Sequence, residues 1–253
     1  PVLSLSPRPH QEAAIAAVEH LYRAGTPRVQ LRMACGSGKT LTGIWLAQRI
    51  NARTVAVFAP SIGLVGQTID AWRGTGLKMR SLAVCSDPTT VAGRAEIGVD
   101  GIDPYGGHHE RSGAVTTRPD VVARFLDTAV DSTDLLTLVV STYHSASVVS
   151  AALRLADRCR SLDLIIADEA HHLAGRTNAR FVPVLRDNEI SARSRLFQTA
   201  TPVIVGGGCR VDELSGASEL ARCMDDPQVF GPVGYTLSVG DAIEAGLLAN
   251  YRV

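Results

Sequence analysis

Strand-like apolar runs alternate with helix-like amphipathic stretches along this whole sequence, and that order leaves a chain few folds to choose from. Runs such as VAVFA, LLTLVVS and LDLIIA are continuously apolar. A strand with one wet face alternates instead, so these runs read as strands covered on both sides. Strands are predicted at 28–33, 54–59, 79–85, 136–141, 162–167 and 194–199. Helical patterns are predicted at 9–24, 39–50, 61–73, 118–130, 146–158 and 178–187. Helices between buried strands imply an α/β fold with a mostly parallel sheet and helices on both faces. A chain of 253 residues with 45% apolar content can bury such a core.

Two stretches interrupt the rhythm. Residues 86–117 hold Gly101, Pro104, Gly106, Gly107 and Gly113 among polar groups, which is long and glycine-rich for a plain connection and reads as an insertion. Residues 202–234, with Gly206 to Gly208, Pro227 and Pro232, read as an excursion to a domain edge. The final SVGDAIEAGLLANYRV begins a helix and then a strand-like run, the expected entrance to a further domain.

The strand RVQLRM leads into Ala34-Cys35-Gly36-Ser37-Gly38-Lys39-Thr40, and the helical pattern LTGIWLAQRI follows at once. A strand, a tight glycine loop and a helix N-terminus together present free N–H groups and a positive dipole end to an anion. Gly36 and Gly38 allow the backbone to approach phosphate closely. Lys39 is placed to reach the β- and γ-phosphates, and the Thr40 hydroxyl to ligate magnesium. The strict eight-residue pattern fails at its first glycine, where this chain has Met33. Lysine occurs only at Lys39 and Lys78 in a chain otherwise rich in arginine, a bias resembling a high-GC bacterial coding sequence. At position 39 a compact ammonium is what the loop requires.

A second site follows the run SLDLIIA, which ends in Asp168-Glu169-Ala170-His171. Carboxylates at the carboxyl end of a buried parallel strand lie on the rim where such sheets bind ligands. Asp168 is assigned to hold magnesium and Glu169 to orient or deprotonate water; the alternative is a helix N-cap. The last predicted strand ends in Gln198-Thr199-Ala200-Thr201-Pro202, a hydroxyl-rich turn able to hydrogen-bond His171. The pairs His171-His172 and His108-His109 lack the further ligands a tetrahedral metal site needs.

Acidic and basic residues balance at 25 each, so no global field draws the chain to a polyanion, and nucleic-acid contact would have to be local. The five cysteines show no C-x-x-C pairing, which argues against a zinc ribbon or a disulfide framework. With no long apolar run and no signal-like start, a cytoplasmic protein without membrane contact is expected.

In this order the motifs resemble the first RecA-like domain of superfamily-two helicases and translocases of the DEAD/DEAH type, over almost the whole chain. Within that superfamily the sequence looks closest to bacterial helicases with helicase-associated domains and to restriction-type motor subunits. Ala34 to Thr40 is similar to motif I, Asp168 to His171 to motif II in its DEAH spelling, and Thr199-Ala200-Thr201 to motif III. The resemblance implies ATP and Mg2+ as cofactors, with Arg8 and Gln11 near the adenine, Cys35 through Thr40 on the phosphates, and Lys39, Asp168, Glu169 and His171 in catalysis. It makes Thr199 and Thr201 coupling residues. It implies nucleic-acid contacts, to DNA more than RNA, at Pro60, Ser61, Thr142 and Tyr143, with Arg73 as a further phosphate partner. It also implies a domain over 1–234, with 235–253 leading to a second RecA-like domain that supplies an arginine finger, so that this part alone hydrolyses ATP weakly. A nucleotide-sensing module with little turnover, or another P-loop enzyme such as a kinase, remains the alternative; a GTPase-type N-K-x-D pattern does not occur.

Overall fold

The computed structural model describes residues 6–86, 114–131, 134–175, 179–204 and 223–249. In chain order the elements are α1 (Pro9–Arg23), β1 (Arg28–Met33), α2 (Lys39–Arg49), β2 (Thr54–Ala59), α3 (Ile62–Gly74), β3 (Met79–Val84) and β4 (Ala114–Thr116). They continue with α4 (Pro119–Asp127), β5 (Leu136–Thr142), α5 (Ala146–Leu155), β6 (Leu162–Ala167), β7 (Ala192–Thr199), β8 (Val233–Leu237) and α6 (Val239–Glu244). The strands make one sheet in the order β4-β3-β5-β2-β6-β7-β1-β8, with every pairing parallel.

Alternate residues of each central strand feed two cores. Val55, Val57 and Ala59 of β2 join Ile15, Ile44 and Trp72 on the face covered by α1, α2 and α3. Ala56 and Phe58 join Val122, Val149 and Phe230 on the face covered by α4 and α5. Both faces are dry, which is why β2 and β5 are buried at every residue.

The structure departs from one predicted helix and adds a strand at each edge of the sheet. The stretch 178–187 is not an α-helix: Ala179–Leu185 forms a 3-10 helix with Pro183 inside it, where the missing N–H and the ring bar an α-helical ladder. Residues 87–113 of the expected insertion lie outside the described residues, but 114–116 form β4, the edge strand, with Val115 opposite Ala83. Of the 202–234 excursion, residues 205–222 lie outside the described residues. The part that returns is tied to β1 by Gln30, whose buried Nε2 donates to the Met224 and Gly231 carbonyls at 2.7 and 2.8 Å. Finally, β8 pairs with β1 as far as Met33–Leu237, so a break at 234/235 would cut a strand of this sheet. Beyond it, Ala242 of α6 is fully buried against the same core.

Candidate active site

Three neighbouring strands end side by side at the carboxyl rim. The topology sets β7 between β1, which feeds the glycine loop, and β6, which feeds the acidic turn. The crossovers from β1 to β2 and from β6 to β7 run in opposite directions along the sheet, and ligands of open α/β sheets lodge at such reversals.

In the loop from Ala34 to Gly38 the Ala34 amide donates to the Leu237 carbonyl at 3.0 Å and the Ser37 amide to the Ala34 carbonyl at 3.3 Å, which leaves the glycine amides as the ones that can meet an anion. Gly36 and Gly38 have φ of +78° and +88°, in the left-handed region that favours glycine. A β-carbon at Gly38 would lie 2.4 Å from the Gln11 amide nitrogen, and one at Gly36 would press on Leu248 at 3.2 Å. Ser37 is buried and its hydroxyl donates to the Ala34 carbonyl at 2.7 Å. Helix α2 starts immediately at Lys39, so its first amides face the loop's open side. Cys35 is exposed on the loop.

Lys39 is 8% exposed. Its ammonium lies 3.4 Å from the Met33 carbonyl and 3.7 Å from Glu169 Oε1. Thr40 and Asp168 line one small cavity together with Gln198. Burial and the neighbouring Glu169 push the Asp168 carboxyl above its ordinary value, opposed by Lys39. Such a carboxylate gains more from a divalent cation than a solvated one does. One carboxylate and one hydroxyl lining the same small cavity are the kind of oxygen donors magnesium takes, with waters and substrate phosphates completing its shell. Among the described residues no group of three His, Cys, Asp or Glu side chains could hold another metal. His108 and His109 lie outside the described residues.

The turn after β6 is held from behind. The Asp168 amide donates to the Phe58 carbonyl at 2.9 Å. Glu169 has φ of +48°, a strained setting for a non-glycine residue, and it makes no side-chain cap to the 3-10 turn that follows. The simple capping role is therefore not what the structure shows. His171 Nδ1 lies 3.4 Å from Glu169 Oε2, 3.1 Å from Thr199 Oγ1 and 3.5 Å from Thr201 Oγ1. Burial, and then His172, lower the His171 pKa, which favours a neutral ring at pH 7. Lys39, Glu169, His171 and the two threonines thus form a continuous polar chain.

Several expected residues sit elsewhere or do something else. Gln11 is 2% exposed; its oxygen accepts from the Arg8 amide at 2.8 Å and its nitrogen donates to the Gly38 carbonyl at 3.2 Å. Gln11 thus braces the loop, and Arg8 is the exposed residue before α1. Thr142 and Tyr143 are 4% and 0% exposed. Thr142 ends β5 and Tyr143 opens the 3-10 turn after it, with the Tyr143 ring packed between Phe58 and Phe181, so both side chains are enclosed. Arg73 is hydrogen-bonded to Ser81 at 3.2 Å, near the amino-terminal end of β3, whereas Pro60 and Ser61 follow the carboxyl end of β2. The structure does not bring Arg73 to the rim. Exposed Ser61 caps α3, accepting from the Leu64 amide at 3.4 Å.

Two contacts went unforeseen. Gln198, 1% exposed in an apolar strand, donates to the Lys39 carbonyl at 2.9 Å; a lone glutamine in RLFQT is the signal that marks it. Tyr143 donates its buried hydroxyl to the Asp168 carbonyl at 2.7 Å. Tyr143→Phe is expected to destabilise the fold by about 1–3 kcal/mol, because a buried acceptor loses its donor. Urea denaturation measures this, and a variant as stable as the parent contradicts it.

A glycine loop after the first strand and an acidic turn two strands away, on one rim of an all-parallel sheet, define a RecA-like P-loop fold. The chain belongs to the family described as "Type III restriction enzyme, res subunit", which it matches over residues 4–204. No functionally curated protein matches it. Among solved structures it is similar to a nuclease-deletion mutant of the Type ISP restriction-modification enzyme LlaGI in complex with a DNA substrate mimic, with 26% identity and a TM-score of 0.72 over 96% of this chain. It is equally similar to the ATP-dependent Type ISP restriction-modification enzyme LlaBIII bound to DNA, with 26% identity and a TM-score of 0.72 over 98% of this chain. The chain spans only 21% and 16% of the length of those two proteins.

Proposed function

We propose that this chain is the ATP-binding motor domain of a DNA-dependent translocase or helicase of DEAH type, working in the bacterial cytoplasm. The observation that carries this reading is the convergence of Lys39 with Glu169 at 3.7 Å beside the cavity shared by Thr40 and Asp168. A kinase-like use of the loop has no comparable support from the polar chain through His171 to Thr199 and Thr201.

In this reading the amides of Gly36 to Thr40 and the Lys39 ammonium bind the triphosphate, with Cys35 at the loop's outer edge. Thr40 and Asp168 would hold Mg2+, which would neutralise phosphate charge. Glu169 takes up a proton from the attacking water and is kept in place by His171. Thr199 and Thr201 accept or donate to the same ring, so a shift of Glu169 is felt at the end of β7. Pro60 and Ser61 remain on the rim as candidates for DNA backbone contact, which positions without reading sequence. A second RecA-like domain follows α6 in the full protein and supplies the arginine finger, worth about 10³–10⁵ in rate in P-loop enzymes.

The test is ATP hydrolysis by the full-length protein with and without duplex and single-stranded DNA. Stimulation by either supports the motor; binding of ATP with no DNA response points to a sensing module. DNA affinity is expected to fall as salt rises, since neutralised phosphates release counterions. A fluorescence titration that shows no salt dependence contradicts backbone contact.

A further inference from the structure

We propose that His10 is a positioning residue of the phosphate loop, whose ring N–H turns the Ser37 carbonyl toward α1 and thereby aims the Gly38 amide at the nucleotide phosphates. The inference rests on the assignment of Ala34 to Thr40 as the phosphate site.

His10 Nε2 lies 3.0 Å from the Ser37 carbonyl oxygen. A carbonyl can only accept, so the ring must carry its proton on Nε2. In a planar trans peptide the C=O and the next residue's N–H point in opposite directions. Holding Ser37 O against α1 therefore leaves the Gly38 N–H directed away from α1. The next peptide is held in the same manner: Gln11 Nε2 donates to Gly38 O at 3.2 Å, which leaves the Lys39 N–H directed outward. Two adjacent side chains in the first turn of α1 thus pin two successive peptides of the loop.

The two grips differ in what replaces them. Gly38 O also accepts from the Thr42 amide at 3.0 Å and the Thr42 hydroxyl at 3.1 Å, as a carbonyl preceding a helix does. The Ser37 peptide lies outside that ladder. It is followed by a glycine with φ of +88°, a residue that tolerates either sign of φ. A peptide flip there would replace an N–H facing the phosphates with a carbonyl oxygen, which repels them. His10 opposes that flip.

The experiment compares His10→Phe and His10→Gln in the full-length protein. Phe keeps a ring without a donor, and the Gln amide nitrogen reaches the position of Nε2. His10→Phe is expected to weaken Mg-ATP binding about tenfold, the loss of one well-placed amide contact, with KM rising more than kcat falls. His10→Gln is expected to restore most of the affinity. Isothermal titration gives the affinities, and the Gly38 amide resonance with and without Mg-ADP reports the peptide directly. Unchanged affinity in His10→Phe overturns the proposal, as does a folded His10→Gln that binds no better than His10→Phe. Lys39→Ala measured alongside separates the two failures. If it loses binding while His10→Phe does not, only the role of His10 falls; if it binds normally, the phosphate site itself is misassigned.

Discussion

Replacing Lys39 with alanine is expected to lower kcat/KM for ATP about 10³-fold in the full-length protein, the scale of losing one preorganised group that stabilises transition-state charge. The side chain is nearly buried, and its ammonium sits within 3.4 Å of the Met33 carbonyl and 3.7 Å of Glu169. It faces the loop's open amides and the acidic turn at once. Removing it deletes the cation facing the triphosphate and leaves Asp168 and Glu169 repelling each other and the incoming phosphates. Lys39→Arg is expected to fare little better, because a planar fork needs more room than a compact ammonium between those two partners. Steady-state kinetics check both variants; activity within a few-fold of the parent contradicts the role.

Glu169→Gln is expected to separate binding from turnover. Losing a general base costs typically about 10²–10⁴ in rate, while the loss of one negative charge beside the triphosphate favours retention of ATP. The variant should therefore bind Mg-ATP at least as tightly as the parent and hydrolyse it hardly at all. The amide keeps nearly the same shape, so the strained φ of +48° and the position beside His171 are not the cause of the loss. Titration and single-turnover hydrolysis on the same preparation test this; a parallel fall in affinity and rate would show that Glu169 serves binding instead.

Much of this was legible in the residues because the signals were redundant. The runs feeding β2, β5 and β6 are too apolar and too long to be anything but covered strands, and the loop ending in Lys39 lies between a strand and a helix as phosphate binding requires. What escaped was set by tertiary context. The short β4 and β8 have no apolar run of their own and exist because β3 and β1 offer open edges to pair with. Pro183 broke a helical pattern that the flanking apolar spacing had suggested.

The surroundings of several site residues were set in the same manner. A tyrosine after a strand reads as accessible, yet Tyr143 is sealed by Phe58 and Phe181 and spends its hydroxyl on the Asp168 backbone. An arginine within an aligned helix reads as a phosphate ligand, yet α3 runs the full depth of the sheet and carries Arg73 to the opposite rim, beside Ser81. Gln11 was recognisable as important, but whether its amide faces a base or the loop depends on where α1 docks, and it docks with Gln11 against Gly38. Spacing along the chain locates a residue on an element; only the packing of that element decides what its side chain meets.

The central claim is that the glycine loop and the acidic turn share one metal-nucleotide complex. Its most direct test is a crystal structure of the protein with ADP and Mn2+, the metal located by its anomalous signal. A single manganese peak is expected between the Thr40 hydroxyl and the Asp168 carboxylate, with the diphosphate wrapped by the amides of Gly36 to Thr40. Nucleotide bound away from Lys39, or metal held by residues other than these two, would contradict it.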